Sequence, residues 1–329
     1  MTANEILEIV PRKTALVVGD ICLDRWCTYD PGMSEPSRET GISRVAVVST
    51  EVTPGAGGTI ANNLVALGLQ RVAVLGSIGT DGHSHELLAA LNLRGISAEL
   101  LVRTRDIPTF TYTKLINRDT GVEDQPRLDF INSRPHPESV ERQLLSHLRT
   151  FASAFDVIFV ADQAETRRGG VVTPGMRHLL SELALADPEK VIWVDSRIRS
   201  ELFRNVILKP NQQEAESSCN ALLGKLDYAE YLKAVKARML FVTQSERGVL
   251  LVDDQGETLV PGRRVEDPVD ICGAGDSFSA GAGMALSICG SPIIAARFGN
   301  LVASITVMKK GTGTASPDEI RAAAAEMGW

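Results

Sequence analysis

The chain has 329 residues, of which 44% are apolar and 23% charged, and its formal net charge is −7. That balance supports a sizeable core and excludes global disorder. The acidity argues against a general nucleic-acid or membrane surface, so an anionic ligand must meet locally placed positive charge or a metal. Five scattered cysteines (Cys22, Cys27, Cys219, Cys272, Cys289) form no CxxC or Cys/His cluster, and the histidines form no metal pattern. The N-terminus lacks the order of a signal peptide and no apolar run reaches membrane-spanning length, so a reduced, cytoplasmic protein is expected.

In chain order, "TALVVGD" (14–20) reads as the first buried strand and "VAVLGSIG" (72–79) as the next, with a helix over 58–69 between them. Helices over 83–94 and 138–152 lead to strands "DVIFVAD" (156–162) and, past a helix at 174–186, "VIWVDS" (191–196). The short run "VILKP" (206–210), a helix starting near Glu214 and another at 228–237 precede strands "MLFVTQ" (239–244) and "GVLLVDD" (248–254). Two apolar helices, 276–289 and 292–308, close the pattern. Continuous Val/Ile/Leu blocks are the signature of strands covered on both faces. The alternation predicts an α/β fold, a doubly wound, mostly parallel sheet flanked by helices. Two segments break the rhythm: "SRVAVVSTEV" (43–52) and "TFTYTKLINRDTGVEDQPRLDF" (109–130), the second with a turn-like "NRDTG". They read as strands of a small projecting sheet, with edge strands of the main sheet as the alternative.

Chemistry concentrates in three places. "DICGAGD" (270–276) sets Gly273, Ala274 and Gly275 at the mouth of an apolar helix, between Asp270 and Asp276. Helix N-terminal amides lack intrahelical partners and favour anions, glycines let an oxygen approach closely, and Asp276 is placed to accept a proton from an attacking hydroxyl. A plain Asp/Gly helix cap explains the same residues. In "LKPNQQEAE" (208–216), Asn211 and Glu214 lie three apart at a helix start, facing one site. An amide and a carboxylate so placed suit the waters of Mg²⁺ on ATP phosphates, and equally suit an ordinary helix cap. "PGAGGTIANN" (54–63) is Gly-rich before a helix, yet has neither a dinucleotide fingerprint nor a Walker A lysine.

Together these stretches resemble the ribokinase-like (PfkB) carbohydrate kinases, over nearly the whole chain from "VVGDICLDRW" to "GTGTASPDEI". The resemblance implies a single kinase domain over 1–329 with a β-sheet lid made by about 25–53 and 106–133. It implies Asp276 as catalytic base, Gly273, Ala274 and Gly275 as the anion hole, and Asn211 and Glu214 at the Mg²⁺–phosphate region. Asp24, Gly55, Thr59 and Asn63 fall on the sugar side; Thr243, Ser245, Gly248 and Asn300 fall on the ATP side. Asp270 is the position expected beside a monovalent cation. The lid edges suggest a homodimer, and neither nucleic acid nor membrane is expected as a partner.

Within the family, "PTFTYTKLINRDTGVEDQPRLDF" and "KKGTGTASPDEI" resemble the kinases of D-glycero-D-manno-heptose 7-phosphate. Lys114, Arg127, Arg38 and Arg44 are the candidates to meet a substrate phosphate. The first signature departs from the family's G-G-A-x-N: Ala56 stands for the second glycine and Thr59 for the asparagine. Kinases of a neutral sugar or a nucleoside, such as ribose or fructose, therefore stay open as an alternative, as does a nucleotide- or sugar-binding regulatory protein without catalysis.

Overall fold

The computed structural model describes residues 1–329. Its elements follow in chain order. Helix α1 (Ala3–Ile9), held by a Thr2/Glu5 capping box, precedes β1 (Thr14–Gly19), β2 (Ile21–Tyr29), β3 (Val47–Ala56), α2 (Gly57–Ala66), β4 (Arg71–Leu75) and β5 (Ser77–Ile78). Then come α3 (Gly82–Leu93), β6 (Val102–Arg103), β7 (Thr111–Asn117), β8 (Leu128–Phe130), α4 (Glu138–Phe151), β9 (Val157–Asp162), α5 (Pro174–Ala186), β10 (Val191–Ser196) and β11 (Ile207–Leu208). The last third holds α6 (Gln212–Leu223), α7 (Tyr228–Val235), β12 (Met239–Thr243), β13 (Val249–Asp253), β14 (Gly256–Val260), α8 (Ala274–Cys289), α9 (Pro292–Thr306) and α10 (Pro317–Glu326).

The main sheet has eight strands in the order β14-β13-β12-β11-β10-β9-β1-β4, parallel from β4 through β12 and closed by an antiparallel β13–β14 hairpin. Period-two alternation sends Ala15 and Val17 of β1 into the core beneath α2, α8 and α9, and Leu16 and Val18 into the core beneath α4, α5 and α7. Burial on both faces is why these strands read as unbroken apolar runs. The doubly wound α/β expectation holds. Strand β14, helix α1 and the alanine-rich α10 are additions to it. The stretch expected as one strand at 72–79 divides into β4, in the main sheet, and β5, which pairs with β6 instead.

The separate small sheet is present, in the order β3-β2-β7-β8. Its β7 ends in a turn closed by Gly121 N–H on the Asn117 carbonyl (2.8 Å) and Asn117 N–H on the Val122 carbonyl (2.9 Å), the hairpin signalled by "NRDTG". The sequence pattern did not show β2, because "ICLDRWCTY" has no clean alternation: β2 runs on from β1 past Asp20 and carries Asp24 away from the main sheet.

Candidate active site

The parallel strands end at one edge of the main sheet, and the strands of the small sheet rise from that edge. Between them lies a cavity of about 190 Å³. Asp24, Thr59, Lys114, Arg127, Gly273 and Asp276 all line it, brought together from β2, α2, β7, the segment before β8, and the start of α8.

Helix α8 begins at a left-handed Gly273 (φ 77°, ψ 6°), a conformation that L side chains rarely adopt. The turn it makes leaves the N–H groups of Gly273, Gly275 and Asp276 without a hydrogen-bond partner, whereas Ala274 donates to the Ile271 carbonyl at 3.2 Å. Three free amides at the positive end of a 16-residue helix are a ready anion nest, and the expected Ala274 contribution is turned inward. Asp276 is half-buried beside them. Desolvation, reinforced by the nearby Asp195 carboxylate, pushes its carboxyl up to about 7, while Lys209 and Arg197 pull the other way. A carboxylate with its proton affinity near neutrality is suited to accept a hydroxyl proton and release it again.

Opposite lies Asp24, held in β2 against β3. A Cβ on Gly55 would stand 2.4 Å from its Oδ1, so only glycine leaves room for that carboxylate. Burial pushes Asp24 up to about 6, offset in part by Lys114 and Arg127. Both cations are held by neighbours in or beside the small sheet: Lys114 pairs with Glu123 at 3.6 Å, and Arg127 makes two 2.7 Å bonds to Asp129 while its guanidinium lies 5.1 Å from the Tyr112 ring centre. Arg38 and Arg44 are exposed and do not line the cavity; Arg44 pairs with Glu35 at 3.3 Å.

The departures in the first signature have structural consequences. Ala56 lines the cavity at φ 52°, ψ −120°, a strained conformation costing an L-residue about 1–3 kcal/mol. Thr59 directs its hydroxyl at the Pro54 carbonyl (3.4 Å). Asn63 does not reach the cavity; it is buried and donates to the Thr59 carbonyl at 3.0 Å, bracing α2.

The residues expected on the ATP side gather at the neighbouring strand ends. Asn211 and Glu214 form a capping box, Asn211 Oδ1 accepting from Glu214 N–H (2.9 Å) and Glu214 Oε2 accepting from Asn211 N–H (2.8 Å). Thr243 bridges to Asn211, and the loop bearing Ser245 closes through Gln244 N–H on the Gly248 carbonyl (2.8 Å). Asn300 spends its amide protons on the Val260 and Pro261 carbonyls (3.1 Å each), tying α9 to the end of β14. Asp270 accepts from Cys272 N–H (2.9 Å) and Gly311 N–H (3.1 Å), joining the loop before α8 to the loop after α9.

Sequence reasoning did not single out Arg25, Gln163, Glu165, Arg197 or Thr312, which also line the cavity. Nor did it single out Lys209, although its place in "LKPN", at the end of a buried strand, was a signal available to be read.

Known proteins resemble this chain in sequence and in fold. The chain is 30% identical over 328 residues to the bifunctional protein HldE of Pelobacter propionicus, covering 96% of this chain and 64% of that protein. It is 31% identical over 323 residues to HldE of Trichlorobacter lovleyi, covering 94% and 62%. It thus spans under two thirds of the length of these relatives. Among solved structures, Escherichia coli phosphofructokinase-2 in complex with potassium superposes with a TM-score of 0.74 at 20% identity, over 96% of this chain and all (100%) of that one. Thermotoga maritima ribokinase superposes with a TM-score of 0.71 at 21% identity, over 95% and 99%. The sequence model of the pfkB family of carbohydrate kinases matches residues 14–319, and the chain belongs to that family.

Proposed function

We propose that this chain transfers the γ-phosphoryl group of ATP to a hydroxyl of a sugar that already carries a phosphate, with a heptose 7-phosphate as the first candidate. The observation that carries the reading is the pairing of three unpartnered amides with Asp276, across one cavity from an Asp24 flanked by Lys114 and Arg127. Asp24 accepts hydrogen bonds from sugar hydroxyls and orients the acceptor. Asp276 takes the proton from that hydroxyl as its oxygen attacks phosphorus. The amides of Gly273, Gly275 and Asp276 face the charge on the moving phosphoryl oxygens. The similarity to HldE proteins supports the heptose choice.

Asn211 and Glu214 offer hard oxygen donors, which suit Mg²⁺. No group of three His, Cys, Asp or Glu side chains is placed to hold a metal alone, so these two would hold the ion through its waters. When bound with ATP, Mg²⁺ neutralises phosphate charge. A monovalent cation beside Asp270 belongs to the same proposal, supported by the potassium complex of the phosphofructokinase-2 neighbour.

ADP release with Mg-ATP against phosphosugars, neutral sugars and nucleosides tests the reading. In that assay Lys114→Ala and Arg127→Ala are each expected to raise KM for a phosphosugar about 10- to 100-fold, the worth of one charge-assisted hydrogen bond, and to leave KM for a neutral sugar nearly unchanged. Turnover of a neutral sugar alone, indifferent to both substitutions, would favour the second reading, which the Thr59 position supports. Binding of ATP and sugar with no ADP formed on any acceptor would favour a regulatory protein.

The lid supports one further part of this proposal. Val47, Val48, Ser49, Thr50 and Glu51 of β3 are exposed at a sheet edge, a row of backbone groups and valines suited to a second copy of the chain. Light scattering is expected to give twice the mass of the 35.4 kDa chain, and Val48→Lys to return it to the monomer. A monomeric wild type removes the dimer.

A further inference from the structure

Two basic residues that the assigned roles leave unused stand around the anion nest. Lys209, immediately after β11, is 4% exposed. Its N–H bonds the Val194 carbonyl at 2.8 Å and its ammonium pairs with Asp195 at 2.5 Å. A Cβ placed on Gly275 would lie 3.0 Å from Nζ, so the ammonium is pressed against the first turn of α8. That position is unfavourable for a purely structural ion pair, because a buried cation there faces the positive end of a helix and its free amides. Asp195 occupies part of the ammonium's three-donor capacity. An anion lying between Lys209 and the amides of Gly275 and Asp276 would turn this repulsion into attraction from both sides.

Arg197, immediately after β10, is half-exposed and rests on Glu165 at 2.6 Å. It is the one residue shared by two cavities: the sugar cavity floored by Asp276, and an open cavity of about 400 Å³ in front of Asn211 and Glu214. A guanidinium there can turn from Glu165 to a phosphate on either side while keeping further N–H groups for the protein. Because β10 and β11 are neighbours in the sheet, the two cations approach Asp276 from adjacent strand ends.

We propose that Lys209 and Arg197 are catalytic residues, a pair of cations that grip the phosphoryl group as it passes from nucleotide to acceptor. The inference rests on the kinase reading above. In the step, the bond from the γ-phosphorus to the β–γ bridging oxygen breaks and that oxygen keeps the electron pair. The acceptor oxygen bonds the γ-phosphorus, the hydroxyl proton goes to Asp276, and both cations keep their protons. Three carboxylates, Asp195, Glu214 and Asp276, surround this path and would repel the phosphoryl oxygens. Lys209 and Arg197 offset that field, and the same carboxylates favour the charged form of Lys209 against its burial.

The test uses Arg197→Met and the double variant Lys209→Met/Asp195→Asn, which removes the buried pair together so that no unpaired carboxylate remains; Asp195→Asn alone is the control. Arg197→Met and the double variant are each expected to lower kcat about 100-fold or more relative to wild type and to the control, with KM for the sugar moving less than about threefold. In Arg197→Met the acid limb of the kcat profile should move to higher pH, since Asp276 loses a neighbouring cation and keeps the Asp195 carboxylate, and Lys209→Arg should retain part of kcat. Calorimetry with inorganic tripolyphosphate and Mg²⁺ should show affinity about tenfold weaker in both variants. A purely structural role for either residue would move neither kcat nor the tripolyphosphate affinity once the variant is folded. Wild-type kcat in the variants, with Asp276→Asn inactive, would overturn this inference and leave the kinase reading standing. Were the wild type to turn over no acceptor, the tripolyphosphate affinities would decide alone: weakened binding supports the cation pair, and unchanged binding overturns it.

Discussion

Asp276→Asn is expected to lower kcat by about 10²–10⁴ while leaving ATP binding intact, and at the same time to make the folded protein more stable above neutral pH. Both effects come from one cause. The half-buried carboxyl, pushed up to about 7 by desolvation, has an ordinary value of 3.8. The native state therefore binds this proton more tightly than the unfolded chain, and stability is lost as pH rises from about 4 through 7. Asparagine carries no such proton. At pH 4 the variant and wild type should melt together; at pH 8 the variant should gain about 2 kcal/mol, or about 3 °C for a chain of this size. Calorimetry at the two pH values, beside ADP release, reads both. Near-normal turnover would remove Asp276 as the base, and a pH-independent difference in melting would show that the carboxylate is not desolvated as the fold implies. Lost activity with gained stability is expected where a group is held in an unfavourable setting for chemistry.

Arg199→Met is expected to be the most destabilising single change at the site, at about 3–5 kcal/mol. Asp162, at the end of β9, is completely buried, and Arg199 grips it through Nε (3.1 Å) and Nη2 (2.5 Å), with Ser196 Oγ adding a third bond at 2.6 Å. The same guanidinium donates to the Thr166 carbonyl (3.0 Å) and the Ala164 carbonyl (2.8 Å). From below, the buried Asp20 carboxylate accepts the N–H groups of Gln163 (2.9 Å), Ala164 (2.7 Å) and Val171 (2.9 Å). The loop so held carries Gln163 and Glu165 into the cavity wall. Burial and the neighbouring Asp162 already push Asp20 up to about 6, so removing Arg199 strands one carboxylate beside another. Urea unfolding should show the loss, and the companion Asp162→Asn/Arg199→Met should recover most of it by removing the stranded charge. In the surviving folded fraction KM for the acceptor should rise, because the loop that lines the candidate cavity is loosened. A loss below about 1 kcal/mol would mean that Asp162 is solvated through an opening in this network.

The sequence by itself determined the architecture and marked the candidate reaction centre, because both are written in local patterns. Strands covered on both faces must be apolar throughout, so β1, β9, β10, β12 and β13 are visible as Val/Ile/Leu runs. The left-handed turn at φ 77° that opens α8 favours glycine, so "DICGAGD" marks that helix start in its own residues. The capping box of Asn211 and Glu214 is legible for the same reason, since both partners lie within one helical turn. Tertiary structure decided which cations reach that centre. Lys114 and Arg127 face Asp24, while Arg38 and Arg44 stay in solvent, and no spacing in the chain distinguishes these pairs. Arg197 and Lys209 lie twelve positions apart and meet Asp276 only because β10 and β11 are adjacent in the sheet and end under the first turn of α8. Strand β2 stayed hidden because its polar residues face a cavity that exists only after β3 and β7 have paired beside it. A side chain's partners across a sheet depend on strand order and register, which are set by packing of the whole molecule and leave no periodic trace in the sequence around it.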